Sequence, residues 1–88
     1  MAVLVDDPLW WWRGRRWCHL VSDASYHELH AFADGVGIPR RAFQGDHYDI
    51  PEVLYDIAVA AGAEPVGARE LLSRLLAAGL RVRKPRGA

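Results

Sequence analysis

Two short apolar runs near the N-terminus predict the first strands of a sheet. Residues 2–5 are rich in β-branched side chains and end at an Asp-Asp-Pro sequence, and residues 17–21 form the second run. The segment between them, 9–16, contains Gly14 and predicts a loop or an irregular hairpin. The chain therefore begins with a strand, a connection and a second strand.

Helical spacing of apolar residues predicts two well-bounded helices. A capping box at residues 25–28 precedes apolar positions at helical spacing and predicts a helix over 26–35. A later segment, 68–78, carries leucines on one face and is followed by Gly79, which is typical of a helix C-terminus.

A second capping box predicts a further helix in the middle of the chain. Asp49 and Glu52 form this box, and apolar residues at helical spacing continue from it to Gly62. Residues 41–44 are interpreted as a short strand before this helix, and residues 64–66 as a short edge strand after it. The order β-β-α-(β)-α-β-α is typical of a small α/β domain with a partly parallel sheet.

Length and charge narrow the possible classes of protein. With 88 residues, 51% of them hydrophobic, the chain predicts one globular domain over residues 1–80 and a basic, flexible tail over 81–88. The net charge is zero, which gives no whole-molecule attraction to nucleic acid or anionic membranes. Local basic clusters still suit phosphate: Arg13, Arg15 and Arg16; Arg40 and Arg41; and Arg81, Arg83, Lys84 and Arg86.

Cys18 is the single cysteine, which excludes an intramolecular disulfide. Its place in a predicted strand favours a buried structural thiol over a nucleophile. The N-terminal residues do not resemble a secretion signal, and no run approaches the ~20 apolar residues of a membrane span. We therefore expect a soluble cytoplasmic protein with no membrane partner.

A set of acids and histidines lies at the predicted strand ends and helix starts. Asp6 and Asp7 end the first strand, and Asp23 lies between the second strand and a helix. If the two strands are parallel, these groups converge at one edge of the sheet. If the strands form a hairpin, Asp6 and Asp7 lie at the end opposite Asp23. The remaining members of the set are His19, His47, Tyr48 and Asp49.

Carboxylates and imidazoles hold divalent metal ions such as Mg²⁺, Mn²⁺ or Zn²⁺, which activate water. In this interpretation Asp6, Asp23 and Asp49 are the metal ligands. His47 acts with Asp49 as the catalytic pair, with His47 as general base, and Arg15 holds the phosphate of the substrate. The spacing of these residues matches no known motif, and helix capping alone also explains Asp23 and Asp49.

Two further histidines, His27 and His30, lie three residues apart on one predicted helix. Zinc-binding histidines on a helix usually sit four residues apart, so this spacing disfavours a metal pair. We expect His27 to face solvent, and one interpretation of His30 is that it faces His19 across the contact between helix and strand.

Four tryptophans and three arginines lie within residues 10–17. Indoles stack on bases and guanidinium groups hold phosphates in proteins that bind single strands. Trp and Arg are also enriched at protein interfaces, so a homodimer contact through Trp11 explains the same segment.

These residues leave three functions open, and they do not decide whether the protein is an enzyme. The first is a non-catalytic accessory domain whose pocket binds a small polar ligand, a nucleotide or a nucleic-acid end. The second is a metal-assisted phosphoester hydrolase or nuclease, and the third is self-association through the Trp-rich segment. The ligand-binding residues expected for the first function are His19, Asp23, Tyr48, Arg15 and Trp11.

An ordered series of short motifs spans nearly the whole chain, and through it the sequence resembles a small bacterial and phage family of unknown function, the DUF4031 type. The resemblance implies a single-domain protein that stands alone, and it implies no activity or cofactor. The motifs are Val5-Asp-Asp-Pro8, Gly14-Arg15, Trp17, His19-Leu20, Ser22-Asp23, Glu28-Leu-His-Ala-Phe-Ala33, Gly37, Pro39, His47-Tyr-Asp49 and Gly62-Ala63.

Overall fold

The computed structural model describes residues 2–82, so most of the predicted basic tail over 81–88 lies outside the described residues. Within residues 2–82, a mixed five-stranded sheet packs with three helices, which confirms the predicted small α/β domain. The strand β5 runs parallel to β1, while the other pairs are antiparallel. The strands are β1 (Val3–Val5), β2 (Trp10–Trp12), β3 (Arg15–Ser22), β4 (Tyr48–Pro51) and β5 (Glu64–Pro65); the helices are α1 (Tyr26–Gly35), α2 (Tyr55–Ala60) and α3 (Ala68–Ala77).

The long strand β3 lies at the centre of the sheet. Leu20 pairs with Val5 of β1 on one side and with Tyr48 of β4 on the other. Strand β2 pairs with the N-terminal half of β3, on the same edge as β1. Because β1 ends opposite Leu20, the residues that follow β1 lie beside the middle of β3 rather than beyond its end.

The segment predicted as a loop or irregular hairpin is a regular hairpin of β2 with β3. Trp10 pairs with Trp17, and the turn is made by Arg13 and Gly14. Both turn residues have positive φ, 50° and 76°, as a tight two-residue hairpin turn requires. The turn fixes which tryptophans share a face, because the side chains of a strand alternate.

The helix predicted to begin at Asp49 is wrong at its N-terminus. Residues 48–51 form β4, and α2 begins only at Tyr55, after a 3₁₀ turn over Glu52–Leu54. Tyr48 and Ile50 both point into the core and alternate with Asp49, as in a strand. Pairing with β4 provides hydrogen-bond partners for the backbone groups on the second edge of β3. Asp49 is therefore not a helix cap.

The short strand predicted at 41–44 is also wrong. A 3₁₀ turn occupies Arg40–Ala42, and pairing is limited to a single bridge between Phe43 and Tyr48. This segment lies beside β4, where the Gln44 N–H also donates to the His47 carbonyl at 2.7 Å.

The other predicted elements are confirmed. Helix α1 begins at its predicted cap, where Ser25 Oγ accepts a hydrogen bond from the Glu28 N–H at 3.0 Å. Helix α3 ends before Gly79, whose φ is 73° and whose N–H donates to the Leu76 carbonyl. Strand β5 is a short strand at the edge of the sheet, as the sequence predicts for residues 64–66.

The two faces of the sheet are covered unequally. On one face, the main core packs beneath α1 and α2; on the other, Leu4 and Val21 pack against Leu71 and Leu75 of α3. Helix α3 therefore covers only the end of the second face that carries Leu4 and Val21. No helix within residues 2–82 covers the half around the β2–β3 hairpin, which we call the open face. Members of the main core include Val3, Val5, Cys18, Leu20, Leu29, Tyr48, Ile50 and Ala58.

The burial predicted for Cys18 is confirmed. Burial, with smaller contributions from the negative charges of Asp6, Asp7 and Glu52, raises the pKa of the Cys18 thiol to about 12. The thiol stays protonated at neutral pH, which agrees with a structural role.

Asp23 fastens the end of β3 to the N-terminal segment and to α3. Its Oδ1 accepts a hydrogen bond from the Ala2 N–H at 2.6 Å, and its Oδ2 pairs with the Arg74 guanidinium at 2.6 Å. Burial acts to raise the pKa of Asp23, but these donors and the nearby positive charges outweigh it and hold the pKa below 3.8.

We expect Asp23→Ala to lower the free energy of unfolding at neutral pH by about 2 kcal/mol, since two charge-assisted hydrogen bonds are lost. The folded pKa lies below the unfolded one, so this stabilisation is fully present above pH 3.8 and is lost as the pH falls through the folded pKa. Urea unfolding of both proteins at several pH values measures the difference. The exposed Asp34→Ala is the control, and a difference that stays constant down to acid pH would contradict the assignment.

Candidate metal centre

Three potential metal ligands meet on the open face. His19 of β3 lies directly opposite Asp49 of β4, and directly paired residues of antiparallel strands project from the same face. His47 precedes Asp49 by two residues and projects from that face too. The register between β3 and β4 therefore brings the three side chains together.

The ligand atoms of these side chains are close enough for one ion. One such atom from each of His19, His47 and Asp49 lies within 4.8 Å of the other two. His47 Nε2 is 3.0 Å from Asp49 Oδ1. Two ligands about 2.1 Å from a common ion, at right angles to one another, are separated by about 3.0 Å, so this pair already has the spacing of a coordination site.

Asp6 fixes the orientation of His19. Asp6 is only 4% exposed; its Oδ1 accepts a hydrogen bond from the His19 backbone N–H at 2.6 Å, and its Oδ2 lies 2.8 Å from His19 Nδ1. An ionised carboxylate only accepts hydrogen bonds, so Nδ1 carries the ring proton. The lone pair of neutral His19 is then on Nε2.

Asp46 fixes the orientation of the His47 ring. Its Oδ1 lies 2.6 Å from His47 Nδ1, and its Oδ2 accepts a hydrogen bond from the Val82 N–H at 2.8 Å. Burial acts to raise the pKa of Asp46, but these donors and the charge of Arg81 outweigh it and hold the pKa below 3.8. An ionised Asp46 places the His47 proton on Nδ1, so both imidazoles offer Nε2 as the ligand atom.

Asp49 Oδ1 is a buried polar atom for which residues 2–82 provide no hydrogen-bond donor of good geometry. Among the described residues, it is buried and accepts no hydrogen bond, although His47 Nε2 is 3.0 Å away. With neutral His47, two lone pairs face each other, and this arrangement calls for a positive charge between them. Burial acts to lower the pKa of His47, but Asp49 and Asp46 outweigh it and raise the pKa above 6.5. The position between His47 Nε2 and Asp49 Oδ1 therefore favours a positive charge.

An open cleft of about 780 Å³ adjoins these ligands. Asp49 lines the cleft, and Trp10, which also lines it, stacks on the ring of His19 with centroids 4.9 Å apart and planes at 14°. Of the three candidate ligands, Asp49 itself lines the cleft, and His19 is connected to it through the stacked ring of Trp10. The remaining lining residues include Trp12, Arg13, Trp17, Arg41 and Pro51.

The structure does not bring every candidate from the sequence to this centre. Asp6 is present, but it supports His19 instead of facing the ligand atoms, and Asp7 is exposed. Asp23 lies beyond the opposite end of β3, with Ala2 and Arg74 as partners. Because β1 and β3 are antiparallel, Asp6 and Asp23 lie apart, as the hairpin alternative predicted.

Tyr48 and His30 belong to the other side of the sheet. Tyr48 is fully buried in the main core, and its hydroxyl lies 2.7 Å from His30 Nδ1. The interpretation in which His30 faces His19 is therefore wrong. His27 is exposed, as expected.

Trp11 and Arg15 also lie outside the cleft. Trp11 is 65% exposed and projects from the face opposite Trp10 and Trp12, because strand neighbours alternate. Arg15 is exposed at the start of β3 and does not line the cleft, whereas Arg13 and Arg41 do.

Asp46, which holds His47 at Nδ1, was not among the candidates predicted from the sequence. Alternation of the polar His47 and Asp49 with the apolar Tyr48 and Ile50 is a strand signal. Interpreting these residues as a strand places His47 and Asp49 on one face and leaves Asp46 as the adjacent acid.

Comparison with known proteins identifies the family of the chain but no activity. No curated protein and no solved structure matches the chain. No helix within residues 2–82 has the length and apolar character needed to cross a membrane. A family model described as a protein of unknown function, DUF4031, matches residues 3–78, which is most of the chain. The protein therefore belongs to the DUF4031 family.

Proposed function

We propose that the protein is a divalent-metal-dependent hydrolase that acts on phosphoesters, with His19, His47 and Asp49 as the metal ligands. The observation that carries the proposal is the meeting of these three groups while a buried carboxylate holds each imidazole at Nδ1. Metal-binding histidines almost always donate their other N–H to such a partner, which fixes the tautomer and raises the basicity of the ligand.

Three protein ligands leave coordination positions for water and substrate, as in catalytic metal sites. A bound divalent ion lowers the pKa of its water towards neutrality. An ion held by His19, His47 and Asp49 would supply an activated water, whose oxygen would bond to phosphorus while the bond to the leaving oxygen breaks. The water would release one proton to solvent, and the leaving oxygen would take one up. The reaction consumes one water and needs no other reactant.

The cleft favours a phosphoester over an uncharged ester. Arg13 and Arg41 line it, and guanidinium groups match the geometry of phosphate oxygens. These two arginines take the role that the sequence analysis gave to Arg15.

Metal titration with a hydrolysis assay tests the proposal. Two imidazoles and one carboxylate suit Zn²⁺, Mn²⁺ and Fe²⁺, so each ion is added to metal-free protein and followed by calorimetry and thermal unfolding. We expect equimolar binding, and stabilisation of about 3 kcal/mol when the free ion is at about 100 times its Kd. Hydrolysis of bis(p-nitrophenyl) phosphate should then appear and be abolished by EDTA. Absence of binding would overturn the proposal, and binding without turnover would contradict the hydrolase.

Two other interpretations from the sequence stay predictions. A non-catalytic binding domain would hold an ion or ligand without turnover. A homodimer through Trp11 is supported by the exposure of this indole on the face opposite the cleft. Sedimentation of the wild-type chain and of Trp11→Ala distinguishes this dimer from a monomer.

A further inference from the structure

We infer that the cleft binds the end of a single-stranded nucleic acid, with a base stacked on its indoles and phosphates held by its arginines. The inference rests on the proposed function, because it names the substrate class of the same centre. The indoles, the charges and the connection to the metal ligands each support it.

The indoles form a fixed stacking surface. Trp17 lies between Trp10 and Trp12, with ring centroids 6.0 and 5.5 Å away. Its indole N–H donates to the Trp12 carbonyl at 2.8 Å, which sets its orientation. Trp12 is still 48% exposed. The rings are tilted to one another, by 36° and 59°. Exposed aromatic rings beside positive charge bind unpaired bases with little sequence preference, because every base has a π face.

The charges of the cleft suit a phosphate backbone. The guanidinium of Arg13 lies over the ring of Trp12, 4.5 Å from its centroid, so the cation sits against one face of this indole. Arg41 lines the cleft from the 3₁₀ turn beside β4. Asp49 is the acidic residue of the described lining, and it belongs to the metal centre. The positive charges of Arg13 and Arg41 therefore lie in the same cleft as the indoles, and the Asp49 carboxylate lies at the candidate metal centre.

Two residues join the cleft to the metal centre. Asp49 is both a metal ligand and part of the cleft, and Trp10 both lines the cleft and stacks on His19. A nucleotide on the indoles therefore has its phosphate close to the ion. The volume of about 780 Å³ is that of a pocket for one small molecule, which favours a strand end over a long track. Bases in a duplex are already stacked on each other, so the unpaired strand is the better partner.

Oligonucleotide binding by the full chain in EDTA tests the inference without the metal. The probe is a labelled oligothymidylate of about eight nucleotides, followed by anisotropy and by quenching of Trp emission. Trp12→Ala should weaken binding by about tenfold or more. Arg13→Ala should also weaken binding and reduce the salt slope by about one. The matched controls Trp11→Ala and Arg16→Ala remove the same groups from the opposite face and should bind as the wild type does.

Each outcome decides between the alternatives. Absence of binding at low salt, equal binding of a duplex, or equal weakening by Trp11→Ala would overturn the inference. So would sedimentation of a dimer that Trp12→Ala dissociates, because the indoles would then form a contact between copies. If the oligonucleotide binds as expected but Zn²⁺, Mn²⁺ and Fe²⁺ do not, the proposed hydrolase fails while the cleft remains a nucleic-acid site. If Mn²⁺ binds and the oligonucleotide does not, only the inference fails.

Discussion

Asp49→Asn is expected to remove metal binding while leaving the metal-free fold nearly as stable as the wild type. The substitution keeps the shape of the side chain but removes the negative charge that neutralises the ion. Within residues 2–82 the close partner of the Oδ1 atom is His47 Nε2, 3.0 Å away, so in the metal-free protein the substitution weakens this one partly exposed ion pair. A purely structural carboxylate would behave in the opposite way, because its loss would destabilise the fold whether or not metal is present.

Zinc calorimetry and urea unfolding together measure the effect of Asp49→Asn. We expect the affinity for Zn²⁺ to fall by at least about 100-fold, more than is usual for loss of a supporting partner. The unfolding free energy of the metal-free protein should change by about 1 kcal/mol or less. Asp7→Asn is the matched control, because Asp7 is an exposed carboxylate that directly follows Asp6 in the sequence. Unchanged zinc affinity, or a large loss of stability without metal, would refute the assignment of Asp49 as a ligand.

Helices α1 and α3 were predictable because their signals are local. Ser25 caps α1 through a contact three residues along the chain, and Gly79 ends α3 within one turn. The start of α2 was not predictable in this way. The residues around Asp49 carry a helix-capping pattern, yet they form a strand because they pair with the edge of β3, thirty residues earlier in the sequence. A non-local pairing decided between two local patterns.

The same limit applies to the candidate centre. The sequence identified His19, His47 and Asp49 as candidates because they lie in or near predicted strands and helix starts. It did not show which acids accompany them, because that depends on sheet register. Strand β1 stops opposite Leu20, and this register puts Asp6 beside His19 while Asp23 lies beyond the far end of β3.

Asp6→Asn is expected to fold and yet to bind metal poorly, because it should move the ring proton of His19. In the wild type, Asp6 Oδ1 accepts the His19 backbone N–H and Oδ2 faces ring Nδ1. The backbone N–H of His19 needs an acceptor, so the amide oxygen of Asn faces it and the amide NH₂ faces Nδ1. A donor there requires Nδ1 to accept, which moves the proton of neutral His19 to Nε2. A protonated Nε2 cannot ligate an ion.

Long-range ¹H–¹⁵N spectra of the imidazoles report this exchange of tautomers directly. In the metal-free wild type, the neutral His19 ring should carry its proton on Nδ1, and in Asp6→Asn on Nε2, with a fall in zinc affinity of about 10- to 100-fold. Asp6→Ala separates orientation from packing: it leaves the backbone N–H of His19 without its acceptor, so it should lose about 1–3 kcal/mol of stability as well as metal affinity. Asp7→Asn should change neither property. If Asp6→Asn keeps the Nδ1 tautomer or the wild-type affinity, Asp6 acts only as a buried anchor of the β1–β3 pair, and the support of His19 by a carboxylate is not part of the metal centre.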